Sequence, residues 1–383
     1  MSKIGIPRAL YSYYHFPVWQ KFFELLDCEI ILSPPTTKNI LSDGLKIATE
    51  EICLPVKTFL GHCAHLKNKC DYLLVPRIVC MFDDAQNLKY GCPKAMGLPD
   101  IVRACFNDSI HIIDFTIDER KIDKRNSYYK IGQIFTTDIK KIRRAYDNAI
   151  TSKFSTSFAI RQWGNDAIPQ PQKFCAVENR PFKSAIGLIG HPYLIYDAYI
   201  SLSLIDLIER FNIKVITPSD IILQQTDQSI NTSQKNSLLP NLSLEDNLEN
   251  KSQLTQINCL SQHRRNKKNS ISRLIDDIHW FYEQDIIMST EYLLKTHQIS
   301  GFIFAFSLSC GTSAVILEII KKELLDCYRI PTLFLPFDEH TTSVGLTTRL
   351  ESFIDLVQRA EFHTYTQIDN NFAQYSKEKI LLH

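Results

Sequence analysis

Three cysteines in this sequence share a local setting that suits metal binding. Cys53 and Cys92 are followed within two residues by Pro55 and Pro93, and Cys310 is followed by a glycine- and hydroxyl-rich stretch. Proline suits the first turn of a helix, where its missing N–H is not needed, so we predict a helix N-terminus at each cysteine. The unpaired N–H groups and partial positive charge there lower the pKa of a thiol. They would also stabilise the negative charge of an iron–sulfur cluster.

The large number of cysteines can be explained by buried free thiols or by metal ligands. The 383-residue chain has 11 cysteines, and disulfides are disfavoured in a reducing compartment. No C-x-x-C spacing supports a metal site, so three ordinary cysteines at helix starts are the alternative to a ligand set. Cys80 follows a predicted strand and is the leading candidate for a fourth ligand.

Three other polar residues are candidates for chemistry near these cysteines. Lys57 and Arg77 stand beside the cysteine segments, where they could neutralise a cluster or bind a phosphate or carboxylate of a ligand. Surface salt bridges are the alternative for both. His340 follows a predicted strand, a position that suits an acid–base group or a contact to substrate. The alternative for His340 is a group of residues that caps the next helix.

The predicted elements alternate between strands and helices, which is typical of α/β proteins with mostly parallel sheets and helices on both faces. Apolar runs predict strands over 3–6, 29–32, 71–79, 110–115, 186–189, 214–217, 301–308 and 332–336. Helical spacing predicts helices over 16–26, 39–48, 55–66, 98–105, 138–153, 199–211, 277–297, 313–325 and 343–360. Cys310 therefore follows a strand, at the carboxyl edge where open α/β folds bind ligands.

The chain is long enough for two domains, and its two halves look alike, because each opens with an Ile-Gly-containing strand. We therefore predict two similar Rossmann-like lobes with the cluster site between them. A Pro-Gln run at 166–173 separates an N-terminal lobe, residues 1–165, from a C-terminal lobe, residues 174–383. The Asn-, Gln- and Ser-rich stretch at 223–270 is predicted to be a disordered insertion in the second lobe.

Composition argues against several classes of protein. Apolar residues make up 44% of the chain and charged residues 22%, which is the profile of a globular protein. The formal net charge is +1, from 43 basic and 42 acidic residues, so there is no basic surplus for binding nucleic acid. No signal peptide is apparent, and no apolar run reaches the roughly 18 residues that a membrane helix needs. We expect a cytoplasmic protein that binds neither nucleic acid nor membranes.

Several motifs in combination are similar to those of a known family. They are Ile4-Gly5-Ile6-Pro7-Arg8, Glu51-Ile52-Cys53-Leu54-Pro55-Val56-Lys57, Val75-Pro76-Arg77, Cys92-Pro93-Lys94, Ile189-Gly190-His191-Pro192-Tyr193, Ser309-Cys310-Gly311 and Asp338-Glu339-His340-Thr341. Through them the chain resembles proteins related to 2-hydroxyacyl-CoA dehydratases and their activases, often labelled CoA protein activases. The resemblance spans nearly the whole chain outside the insertion and the C-terminal tail. In the dehydratases, three cysteines hold a [4Fe–4S] cluster and leave one iron open.

The resemblance implies that Cys53, Cys92 and Cys310 hold such a cluster. It implies an electron supplied by a separate ATP-dependent activator or reductase protein, since the sequence has no Gly-rich nucleotide loop or Walker signature. It further implies an acyl-CoA-type ligand and a redox or lyase-like function. One alternative is a non-catalytic accessory protein that transfers electrons or carries the cluster, and another is a cluster-free structural or regulatory relative.

Overall fold

The structure is a computed structural model. It describes residues 1–82, 88–107, 109–151, 184–221, 278–296, 299–325, 328 and 330–360. The predicted linker at 166–173 and the predicted insertion at 223–270 lie outside these ranges. The boundary between the two domains and the insertion therefore stay predictions.

The first half of the chain folds around a five-stranded sheet. Its strands are β1 (Lys3–Ile6), β2 (Glu29–Leu32), β3 (Tyr72–Phe82), β4 (Leu88–Tyr90) and β5 (Ile112–Asp118). The order is β2-β1-β3-β4, with β5 also paired to β3, and every pair is parallel except β3–β4. The helices that accompany this sheet are α1 (Ser12–Glu24), α2 (Lys38–Ile47), α3 (Leu54–Leu66), α4 (Pro93–Met96), α5 (Leu98–Phe106), α6 (Lys124–Gly132) and α7 (Ile139–Thr151).

The second half folds around a four-stranded, wholly parallel sheet. Its strands, in the order β7-β6-β8-β9, are β6 (Ser184–Gly190), β7 (Ile213–Ile216), β8 (Gly301–Ser307) and β9 (Thr332–Phe337). The accompanying helices are α8 (Pro192–Ile195), α9 (Leu204–Glu209), α10 (Phe281–Thr296), α11 (Gly311–Ile320), which continues into a π-helical turn (Lys321–Leu325), and α12 (Ser343–Ala360). Both sheets are of the Rossmann-like α/β type, so the predicted fold class is confirmed.

Strand β8 shows why the second sheet carries helices on both faces. Phe302 and Phe304 belong to one apolar cluster, whereas Ile303 and Ala305 belong to another. Successive side chains of a strand point to opposite faces, so an unbroken apolar run requires cover on both sides. Because all four residues are at most 3% exposed, the second sheet is buried on both faces along this strand.

The two halves meet through side chains that join the opposite core. Tyr13 and Leu54 pack into the cluster of the second sheet, and Tyr282 packs into the cluster of the first. The backbone also crosses over, because the Tyr90 N–H donates to the His279 carbonyl at 2.6 Å. The start of α10 is therefore held against strand β4 of the first sheet.

Helix α3, which begins directly after Cys53, is held at unusually short distance from α2. A Cβ atom on Gly44 would lie 2.0 Å from the Lys57 carbonyl oxygen, and one on Gly61 would lie 1.9 Å from the Ile40 carbonyl oxygen. Only glycine permits this contact of backbone on backbone. The glycine pair thus fixes the helix that positions the first cysteine.

The differences from the predicted elements have local causes. The helix predicted over 199–211 is confined to α9 because Leu202 and Ser203 adopt left-handed backbone angles, with φ of 53° and 55°. Strand β3 runs on to Phe82, so Cys80 lies within the strand and does not follow it. No helix among the described residues is both long and apolar enough to cross a membrane.

Candidate functional site

A small cavity between the two sheets brings the three singled-out cysteines together. Its volume is about 50 Å³, and Cys53, Cys92 and Cys310 all line it. One water needs roughly 10–15 Å³ by the same measure, so the cavity has room for a small, compact group. The cysteines lie far apart in sequence and come from both halves of the chain. Their convergence is a property of the fold alone.

Each cysteine is the residue immediately before a helix, as predicted. Cys53, Cys92 and Cys310 have extended backbone angles and precede α3, α4 and α11. The turn at Cys92 also depends on Gly91, since a Cβ atom there would lie 2.1 Å from the Ile78 carbonyl oxygen. The first-turn N–H groups of three helices are therefore directed toward the segments that carry the thiols.

The predicted lowering of the thiol pKa is wrong for two of the three cysteines. Burial raises the pKa of Cys53 to about 11, and the neighbouring Cys310 and Cys92 raise it further. Burial also raises the pKa of Cys92. Burial destabilises the thiolate form more than the N–H groups of the helix N-terminus stabilise it. Any metal that binds here must therefore displace protons.

Three thiols are a donor set that an iron–sulfur cluster can use, whereas a single metal ion needs ligands that converge on one point. Among the described residues, no group of three or more His, Cys, Asp or Glu side chains is placed to hold one metal ion. A mononuclear zinc site needs its ligands to converge on one point. A cluster offers a different iron atom to each thiolate, so three cysteines spread around a cavity fit it.

Lys94 ties the three cysteine segments to one another. Its ammonium group donates to the carbonyl oxygen of Glu51 at 2.9 Å and to that of Ser309 at 3.2 Å. These acceptors lie two residues before Cys53 and one residue before Cys310. Lys94 thus bridges the two halves of the chain next to the cysteine segments, a role that the sequence did not indicate.

A buried carboxylate forms the other wall of the cavity. Glu283 of α10 is 3% exposed and lines the cavity. Its Oε1 atom accepts hydrogen bonds from the hydroxyls of Thr312 at 2.6 Å and Ser313 at 3.2 Å, and lies 3.2 Å from the Nε2 atom of His191. The other ring nitrogen of His191 lies 2.9 Å from the Tyr14 hydroxyl. Thr312 connects Glu283 to the cysteines, because its hydroxyl also lies 3.3 Å from Cys310 Sγ.

The surroundings of Glu283 favour its ionised form. Burial acts to raise the pKa of Glu283, but the charge of His191 and the hydrogen bonds from His191, Thr312 and Ser313 together hold it below its ordinary value. Glu283 is therefore a carboxylate despite its burial. Its Oε2 atom has no hydrogen-bond partner among the described residues.

The other predicted site residues lie outside this cavity. Lys57 is buried in an ion pair with Glu339 at 2.6 Å, and Arg77 pairs with Asp100 and Asp114 at 2.8 and 3.1 Å. Exposed His340 does not line the cavity, and neither does buried Cys80. The roles proposed for Lys57, Arg77 and His340 in cofactor binding and catalysis stay predictions.

A second buried polar cluster joins the two halves away from the cysteines. The ring nitrogens of His62 lie 2.8 Å from the Ser33 hydroxyl and 2.9 Å from the Thr36 hydroxyl. Thr36 in turn donates to the carboxylate of Asp197 in the second half. Burial lowers the pKa of His62 to about 3 and raises that of Asp197 to about 6.

We expect His62 to make the fold sensitive to acid. Unfolded chains take up a proton at this residue near pH 6.5, whereas the folded protein resists it down to about pH 3. The contribution of His62 to the free energy of unfolding is therefore complete above pH 6.5. It decreases as the pH falls below this value, by about 2 kcal/mol at pH 5. Asp197 has the opposite effect over about pH 4–6, because its raised pKa makes the folded protein more stable as the pH falls. It is present in both the wild type and the His62→Gln variant. Urea midpoints at pH 7 and pH 5 should diverge more in the wild type than in His62→Gln, and equal divergence would contradict the assignment.

The fold and the site together define a two-sheet α/β protein with a three-cysteine cavity between the sheets. By sequence, the chain belongs to the family described as CoA enzyme activase uncharacterised domain (DUF2229), whose model matches residues 3–221. This confirms the CoA activase-related resemblance. The matched range includes Cys53, Cys92 and His191, whereas Cys310 and Glu283 lie beyond it. A comparison with curated proteins found no match.

Proposed function

We propose that this protein holds a [4Fe–4S] cluster through Cys53, Cys92 and Cys310 and acts as a redox or lyase-like component. The observation that carries the proposal is the convergence of three helix-start cysteines from both halves on one cavity. Bound there by three thiolates, a cluster would supply a low-potential electron and an iron with a free coordination position. Family membership supports a place in CoA-related chemistry.

The chain's own residues would provide binding, orientation and exclusion of water. Lys94 places a positive charge beside the thiolates and holds their segments in register. The Glu283–His191 pair supplies a carboxylate and an imidazole that could hold or exchange a proton next to a bound ligand. The cavity is enclosed by aromatic side chains, including Tyr193 and Trp280, which would keep water from the cluster.

Partners follow from what the chain lacks and from its family. The sequence has no Walker signature, so we propose that a separate ATP-dependent activator or reductase supplies the electron. An acyl-CoA-type ligand is larger than the cysteine cavity. A groove of about 270 Å³, lined by Leu308, Asp338 and Arg349, begins two residues before Cys310 and offers room for part of such a ligand.

The small volume of the cavity supports a second candidate function. With a volume of only about 50 Å³, the site could hold a cluster and no substrate. The protein would then be an electron-transfer or cluster-carrying accessory. The two functions differ in whether an added ligand changes the electronic state of the cluster.

Anaerobic reconstitution of the full chain tests the proposal. Iron and acid-labile sulfide should each reach about four per chain, with a reduced-state electron paramagnetic resonance signal of a [4Fe–4S] cluster. A change of that signal on addition of an acyl-CoA would favour the lyase-like function over the accessory one. Less than one iron per chain after reconstitution would refute the cluster proposal.

A further inference from the structure

The cysteine cavity collects buried oxygen atoms that lack partners. Of the five buried side-chain polar atoms without a hydrogen bond among the described residues, three belong to residues that line it. They are the Tyr11 hydroxyl, the Ser307 hydroxyl and Glu283 Oε2. A buried hydroxyl without a partner is costly, so such groups normally meet a water, an ion or a ligand. Their concentration at one cavity indicates a shared missing partner.

Tyr11 is held at the cavity by a strained turn. The preceding residue, Leu10, also lines the cavity and adopts a left-handed backbone with a φ of 48°, which is rare for a bulky side chain. Such strain persists where the surroundings fix a functional geometry. Tyr11 is 3% exposed, and burial first and the charge of Cys92 second raise the pKa of its phenol. The phenol therefore keeps its proton and can donate a hydrogen bond.

Ser307 lies in the turn that presents the third cysteine. It is the last residue of β8, and its carbonyl oxygen accepts a hydrogen bond from the Cys310 N–H at 2.9 Å. Ser307 is 5% exposed and lines the same cavity as Cys310. Its hydroxyl is a second buried donor without a partner among the described residues.

We infer that the hydroxyls of Tyr11 and Ser307 donate hydrogen bonds to sulfur atoms of the group held by the three cysteines, and that they raise its reduction potential. The inference rests on the proposed cluster. Thiolate and sulfide sulfurs are anionic acceptors, which is what two unpaired donors require. Glu283 is ionised and has no proton to give, so it does not share this role. Hydrogen bonds to sulfur stabilise the more negative, reduced state and so set the potential.

Redox titration of the reconstituted protein followed by electron paramagnetic resonance tests the inference. Tyr11→Phe and Ser307→Ala should each bind wild-type amounts of iron. In each variant the equilibrium constant for reduction of the cluster should be about threefold to tenfold smaller than in the wild type. For one electron this is a potential lower by about 30–60 mV. Ser127→Ala is the matched control, because Ser127 is also a buried serine whose hydroxyl has no partner among the described residues, and it lies outside the cavity. Its potential should equal that of the wild type.

The outcomes separate this inference from the proposed function. Wild-type protein without iron would refute the cluster itself. Both variants at the wild-type potential with full iron would overturn the hydrogen bonds and leave the cluster in place. Loss of the cluster in both variants would also overturn the inference, because a donor that tunes the potential is not needed to hold the iron.

Discussion

Replacing any one of Cys53, Cys92 or Cys310 with alanine should remove most of the iron that the wild-type chain binds. A cluster on three protein thiolates has no spare protein ligand, so each substitution leaves two of its irons without a cysteine. Among the described residues, no fourth cysteine lines the cavity to take the vacant place. Iron and sulfide content after anaerobic reconstitution is the measurement.

Cys105→Ala is the matched control for these variants. Cys105 is also partly buried on a helix of the first half but lies outside the cavity, with its thiol 3.8 Å from the Ile47 carbonyl oxygen. It should keep full iron content. Wild-type iron in all three cavity variants would contradict the ligand assignment, and equal loss in Cys105→Ala would point to a general effect on folding.

Replacement of Glu283 with alanine should destabilise the protein by about 3–5 kcal/mol, even without metal. The carboxylate accepts from Thr312, Ser313 and His191, all of which are buried. Its removal takes the shared acceptor away from two buried hydroxyls and from the buried ring of His191. Since His191 and α11 belong to the second sheet and α10 rests on β4 of the first, the loss should weaken the contact between the two halves.

Urea unfolding of two further variants separates the effect of the buried Glu283 charge from that of its hydrogen bonds. Glu283→Gln keeps an acceptor for the hydroxyls but removes the charge, so its loss of stability should be smaller. Glu291→Ala, on the same helix, breaks only the partly exposed pair with Lys295 and should cost about 0.3–0.5 kcal/mol. A Glu283→Ala midpoint equal to that of Glu291→Ala would show that the buried pair contributes nothing.

Much of the fold could be predicted from the sequence because its strands are short apolar runs between clear breakers. Strands β1 and β2 and helix α12 have the predicted bounds. The N-terminal positions of Cys53 and Cys92 followed from the prolines after them, a local signal that tertiary structure did not override. Strand β4 was not predicted, because three residues that pair antiparallel at the end of a long strand leave little pattern.

The wall opposite the cysteines could not be predicted in the same way. Glu283 lies in an aromatic stretch with no motif, and its position depends on the pairing of Trp280 with Tyr90 from the other half. Tyr11 likewise matters only because Cys92 comes near it in the fold. The direction of the pKa shift at Cys53 and Cys92 could not be predicted either, because local helix geometry is visible in a sequence and burial depth is not.

The order of the cysteines along the chain has a consequence for biosynthesis. Cys53 and Cys92 belong to the half built on β1 to β5, whereas Cys310 follows β8, late in the second half. Because domains fold as they leave the ribosome, the first half emerges with two of the three cavity cysteines before the third exists. Under the proposed function, iron delivered during synthesis could meet all three ligands only after Cys310 has been made. A chain that stalls before Cys310 would offer two of them.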